Sequence, residues 1–150
     1  MESNQFAFTP HDWQRIVECF LKWEESQPAS PKLGYWRAMR RLATDMKKSG
    51  LADSIYGYSS LDRLRLSMTP AIRTGNGTLF IEMGSEIDRV RLIFEEHAFP
   101  TKAMGRENWS HEYPLDELQL AVGRFFIRAS WFAKGHLALE RFLQTAEGVE

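Results

Sequence analysis

The chain has 150 residues, a formal net charge of −1, 43% hydrophobic and 26% charged residues. This is the composition of an ordinary globular protein of about one domain, able to bury close to ~70% of its unfolded surface without a disulfide or metal. The single cysteine, Cys19, excludes an intramolecular disulfide and a multi-cysteine zinc site, and the near-zero charge excludes a general pull toward nucleic acid.

No stretch reaches the roughly 18 apolar residues of a membrane span. Met1 to Gln5 shows no basic segment followed by an apolar run. A single cysteine and no visible leader give the expectation of a cytoplasmic protein in a reducing compartment. Residues 1–75 hold 11 Lys/Arg against 8 Asp/Glu, and residues 76–150 hold 8 against 12, so the halves differ mildly in sign.

Thr9-Pro10-His11-Asp12 predicts a helix start, with Thr9 as cap, Pro10 at the first helical position and Asp12 in the first turn. Trp13, Ile16, Val17, Phe20 and Leu21 follow helical spacing up to Gln27-Pro28-Ala29-Ser30-Pro31. A second helix follows, with Leu33, Trp36, Met39, Leu42, Ala43 and Met46 on one side, Lys47 and Lys48 in its last turn and Gly50 as its stop. The short connection predicts an antiparallel pair.

Beyond Gly50 the hydrophobic period changes from 3.6 to 2. Leu64, Leu66 and Met68, then Leu79, Ile81 and Met83, then Val90, Leu92 and Phe94 each alternate with polar or aromatic neighbours and predict three strands. Gly75-Asn76-Gly77 marks a turn between the first two, and the short links imply an antiparallel meander. Trp109 to Tyr113 is a candidate fourth strand. From Pro114, a stripe of Leu115, Leu118, Val122, Phe125, Ala129, Phe132, His136, Leu139, Leu143 and Ala146 predicts a long helix bent near Gly135, since a straight one would run nearly ~50 Å. The expected architecture is a single α+β domain: an N-terminal helical pair, a three- to four-stranded antiparallel meander, and a long C-terminal helix, with the helices over one sheet face.

No glycine-rich phosphate loop, nucleophile elbow or His-Glu-x-x-His pair is present, so no cofactor or metal is expected. His97 and His111, each beside glutamates across one loop, would suit a metal or a small acid–base site if the flanking strands pair. His136 falls on the apolar stripe and reads as a core histidine. Cys19 lacks an adjacent base. Asp12, Glu18, Glu24 and Glu25 fall on the polar side of the first helix and read as solvated.

The outward sheet face carries more information. If the leucines face the helices, the other face presents Arg63, Arg65, Phe80, Glu82, Arg89, Arg91 and Ile93. Arginine and aromatic side chains are enriched at binding hot spots, although arginine stems also serve simply to cover apolar groups. Ile55-Tyr56-Gly57-Tyr58-Ser59-Ser60, read as a joining loop, adds Tyr56 and Tyr58 as candidate contacts. Arg37, Arg40, Arg41, Lys47 and Lys48 form a basic helix face that would serve a phosphate or nucleic-acid binder, or simply be solvated.

Ser49-Gly50-Leu51 closing a helix pair, the Ile55 to Ser60 segment, the strand Leu64-Arg65-Leu66-Ser67, and Pro114-Leu115 leading to Arg124-Phe125-Phe126 together resemble small bacterial immunity proteins, over about residues 33–126. The resemblance implies a cytoplasmic, non-enzymatic inhibitor that neutralises a cognate toxin by surface complementarity; it carries over no catalytic residue. The partner expected is therefore a protein, with no membrane role. The C-terminal stripe leaves open packing within the chain or against its copy in a homodimer.

Overall fold

Trp13–Ser26 form α1 in the computed structural model, which describes residues 12–69, 77–96 and 109–146. Thr9, Pro10 and His11 lie outside the described residues. Asp12 precedes the helix and makes no side-chain cap bond, so it does not sit in the first turn. Helical spacing puts Trp13, Ile16 and Phe20 in the core. α2 spans Leu33–Ser49, buries Tyr35, Trp36, Met39, Leu42, Ala43 and Met46, and stops at Gly50, which takes the left-handed conformation at φ 95°. The helices run antiparallel: Trp23 stacks on Trp36 at 5.4 Å near one end, and Lys47 bonds Gln14 near the other.

Among the described residues the sheet has five antiparallel strands in strict chain order: β1 Tyr56–Ser60, β2 Arg63–Ser67, β3 Gly77–Met83, β4 Arg89–Glu96 and β5 Trp109–Pro114. The meander and the Trp109 strand are as expected. The Gly75-Asn76 part of the expected turn lies outside the described residues. β1 is a correction, because the segment read as a joining loop is an edge strand paired to β2 from Tyr56↔Ser67 to Ser60↔Arg63. Its inward positions are Gly57 and Ser59, and the missing side chain of Gly57 lets α1 lie directly against it. A Cβ there would stand 2.9 Å from Ile16 Cδ1 and 3.1 Å from the Trp13 ring. The Trp13 indole N–H donates to the Ile55 carbonyl at 2.9 Å and fixes this approach.

Leu64, Leu66, Leu79, Ile81, Val90 and Leu92 are fully buried on the inner face, as the alternation predicts. They join one core with side chains from all four helices. Tyr35 crosses to the β1–β2 turn, where its hydroxyl donates to the Asp62 carbonyl at 2.6 Å. Burial first, then the charges of Asp62 and Glu82, push its phenol well above the usual range despite the opposing Arg63.

The C-terminal region departs most from expectation. α3 spans Leu118–Arg128 and α4 Leu137–Ala146, so the single long helix is two helices, broken across residues 129–136 rather than bent near Gly135. The break is a Schellman stop with serine in place of the usual glycine. Ser130 is left-handed at φ 62°, its N–H bonds the Ile127 carbonyl at 3.0 Å, and the Trp131 N–H bonds the Phe126 carbonyl at 2.9 Å. The stop's hydrophobic contact is the Trp131 ring stacked on Phe126 at 5.7 Å. α4 then packs back on α3, with Leu143 tight against Gly123 and Phe142 beside Phe126. His136 ends up exposed in the break, against Phe132, and not in the core stripe. No helix among the described residues is long and apolar enough to cross a membrane.

Candidate functional site

Strand alternation places Arg63, Arg65, Phe80, Glu82, Arg89, Arg91 and Ile93 on the sheet face opposite the core. The register sorts them into rows. Tyr58, Arg65, Phe80, Ile93 and Ser110 lie across the middle of the face. The Arg65 guanidinium sits over two rings of this row, 5.3 Å from the Phe80 centroid and 5.7 Å from that of Tyr58.

The row nearer the β1–β2 turn is an alternating charge ladder. Arg63 Nη1 donates to Glu82 Oε1 at 3.1 Å, and Arg91 bridges Glu82 Oε2 at 3.4 Å and Glu112 Oε2 at 2.6 Å. Arg89 Nε reaches Glu112 Oε1 at 3.3 Å. The Ser85 hydroxyl and backbone N–H each donate to the same carboxylate at 3.0 Å. The bond from Arg91, followed by those from Ser85, holds the Glu112 carboxyl at about 2 against the raising effect of partial burial. The Arg91 guanidinium is held above its usual range by the same bond. Glu112 was missed as a member of this face; period two along β5, with Ser110 and Glu112 on one side, is the signal that finds it.

The face is not open throughout. Ser67 and Thr78, on the same side but at the far end, are fully buried, and Tyr56 and Tyr58 are half-buried. The exposed part is the half nearer the turns at 61–62 and 84–88. Chain order brings both turns to one end of the sheet, where Leu61 is 77% and Ile87 51% exposed.

The other candidates separate. His97 lies outside the described residues. His111 stands exposed on the inner side of β5, between Trp109 at 6.2 Å and Tyr113 at 4.8 Å. Among the described residues no group of three or more His, Cys, Asp or Glu could hold a metal ion. Cys19 is a half-buried free thiol on α1.

Glu24 corrects its solvated reading. It is only 8% exposed and takes a fork from Arg40, whose Nη2 donates at 3.0 Å, with Arg37 at 3.7 Å. That bond raises the Arg40 guanidinium above its usual range. Arg41 approaches Asp45 at 4.0 Å and Lys47 bonds Gln14, so most of the basic helix face is spent within the helical layer.

A second feature was not anticipated. Between α3 and β5, on the core side of the sheet, lies an open groove of about 180 Å³ lined by Trp109, Tyr113, Ala121, Arg124, Phe125 and Arg128. The Arg128 guanidinium lies 5.4 Å from the Trp109 ring centroid. No family model, no curated protein and no solved structure matches the chain.

Proposed function

We propose that the chain is a non-enzymatic inhibitor of the immunity type, which covers part of a toxin-like partner protein with the open half of its outer sheet face. The observation that carries this reading is the arginine–aromatic grid on a rigid sheet. Arg65 is set over Phe80 and Tyr58, and Arg63, Arg89 and Arg91 are fixed by Glu82 and Glu112. Ordering a long side chain on binding costs about 0.5–1.5 kcal/mol, and a grid ordered beforehand avoids much of that cost. The exposed Leu61 and Ile87 at the same end offer apolar anchors beside the charges. Alternating charges favour a partner with the complementary alternation, which sharpens selectivity and encounter more than raw affinity.

The test is binding to the protein encoded beside this one, followed by calorimetry on variants. Arg65→Ala with Phe80→Ala should weaken the complex by at least about 2 kcal/mol. Arg37→Ala, on the helical side, should leave it unchanged. A complex indifferent to the double variant, or none at micromolar concentration, defeats the proposal.

A further inference from the structure

We infer that the groove between α3 and β5 is a binding site for a small planar aromatic anion, a ring carrying a carboxylate or phosphate. Its walls are aromatic: Trp109 and Phe125 stack at 5.7 Å, with Tyr113 beside them. An apolar cavity of roughly 150 Å³ takes up benzene, so about 180 Å³ accommodates one ring and an acidic group.

The charge supplies the second half of the case. Arg124 and Arg128 are four residues apart on α3, hence on one face, where like charges oppose each other. Neither has a carboxylate within ion-pair distance among the described residues, whereas Arg37, Arg40, Arg41, Arg63, Arg89 and Arg91 all do. Among the described residues no acidic side chain lines the groove. Both arginines are exposed, and Arg128 already lies over Trp109. A ligand ring against the aromatic wall would present its acid to two guanidinium forks, the geometry arginine favours for carboxylate and phosphate. The groove opens on the side of the sheet opposite the charge ladder, so this inference stands apart from the proposed inhibitor role.

The experiment titrates benzoate, phenyl phosphate, neutral benzamide and acetate into the isotopically labelled full chain. The readout is the Trp109 indole N–H resonance, assigned with Trp109→Phe. Benzoate or phenyl phosphate should shift it with a Kd on the order of 1 mM or tighter, and benzamide and acetate should bind at least about tenfold more weakly. The stronger of the two ring anions identifies the acidic group. Arg124→Gln with Arg128→Gln should raise Kd about tenfold or more, while Arg141→Gln on α4 should not. Each exposed arginine is also tested singly, so a misfolded double variant does not end the experiment. Benzamide matching benzoate would reduce the groove to an apolar slot, and acetate matching benzoate would reduce it to surface charge. A resonance unmoved at about 10 mM of every probe, far above the expected Kd, would overturn the assignment.

Discussion

The outer sheet face and the α3–β5 groove are built from the same materials, arginine and aromatic rings, and use them in opposite ways. On the outer face Glu82 and Glu112 are interleaved with Arg63, Arg89 and Arg91, so each of these charges is paired and geometry is fixed. In the groove Arg124 and Arg128 have no carboxylate partner among the described residues, so charge is left over there and the aromatic wall is concave. A flat, self-paired grid suits a broad surface whose pattern must be matched. A concave, uncompensated one suits a small ligand that supplies the missing negative charge. Exposed ion pairs contribute only about 0–1 kcal/mol each, so the ladder's importance lies in positioning rather than in stability.

Four substitutions sharpen or break that contrast, beginning with the largest effect. Phe125 lines the groove and is also core: it is 5% exposed and meets Phe94 at 5.1 Å and Trp131 at 5.4 Å. Phe125→Ala should cost about 3–5 kcal/mol in denaturant unfolding. Phe80→Ala, half-buried on the grid, should cost about 1 kcal/mol. Equal losses would mean that the grid is as structural as the groove.

Gly57→Ala asks how tightly the grid's edge strand is held from behind. The new Cβ meets Ile16 and a Trp13 ring fixed by its bond to Ile55, so a loss of about 1–3 kcal/mol is expected. An unchanged denaturation midpoint would show that α1 yields at no cost.

Glu112→Gln acts most weakly at neutral pH and most visibly in acid. The folded carboxyl is held near 2 against an ordinary 4.5, so its contribution is complete above about pH 4.5 and is lost as pH falls toward 2. The variant should be somewhat less stable at pH 7 and lose less stability across that acid window, as read from Tm against pH. A parallel pair of Tm curves would separate Glu112 from the acid response.

What the sequence disclosed depended on whether a residue's environment was local. The inner leucines and outer arginines of β2 to β4 were legible because alternation assigns sides without knowledge of the rest of the chain. β1 was not, because its inward residues are a glycine and a serine and its outward ones Tyr, Tyr and Ser, which read as a loop. The C-terminal stripe kept perfect spacing through Ala129, Phe132 and His136. Yet the chain turns at Ser130, where the contact of Trp131 with Phe126 substitutes for the glycine that usually marks such a stop. Glu24 looked solvated because Arg40, its partner, arrives from another helix. The groove depends on α3 meeting β5, which brings together Trp109 and Arg128 from different elements, and no spacing rule announces that adjacency.

The sequential strand order has a consequence for how such a surface can change. The grid's two rows are drawn from five strands that neighbour one another in chain order, from Tyr58 to Glu112, and within those strands every second residue faces away from the core. A mutation that rewrites Arg65, Ile93 or Ser110 therefore leaves the buried neighbours untouched. The outward pattern is free to drift toward a new recognition code while the scaffold that carries it stays the same.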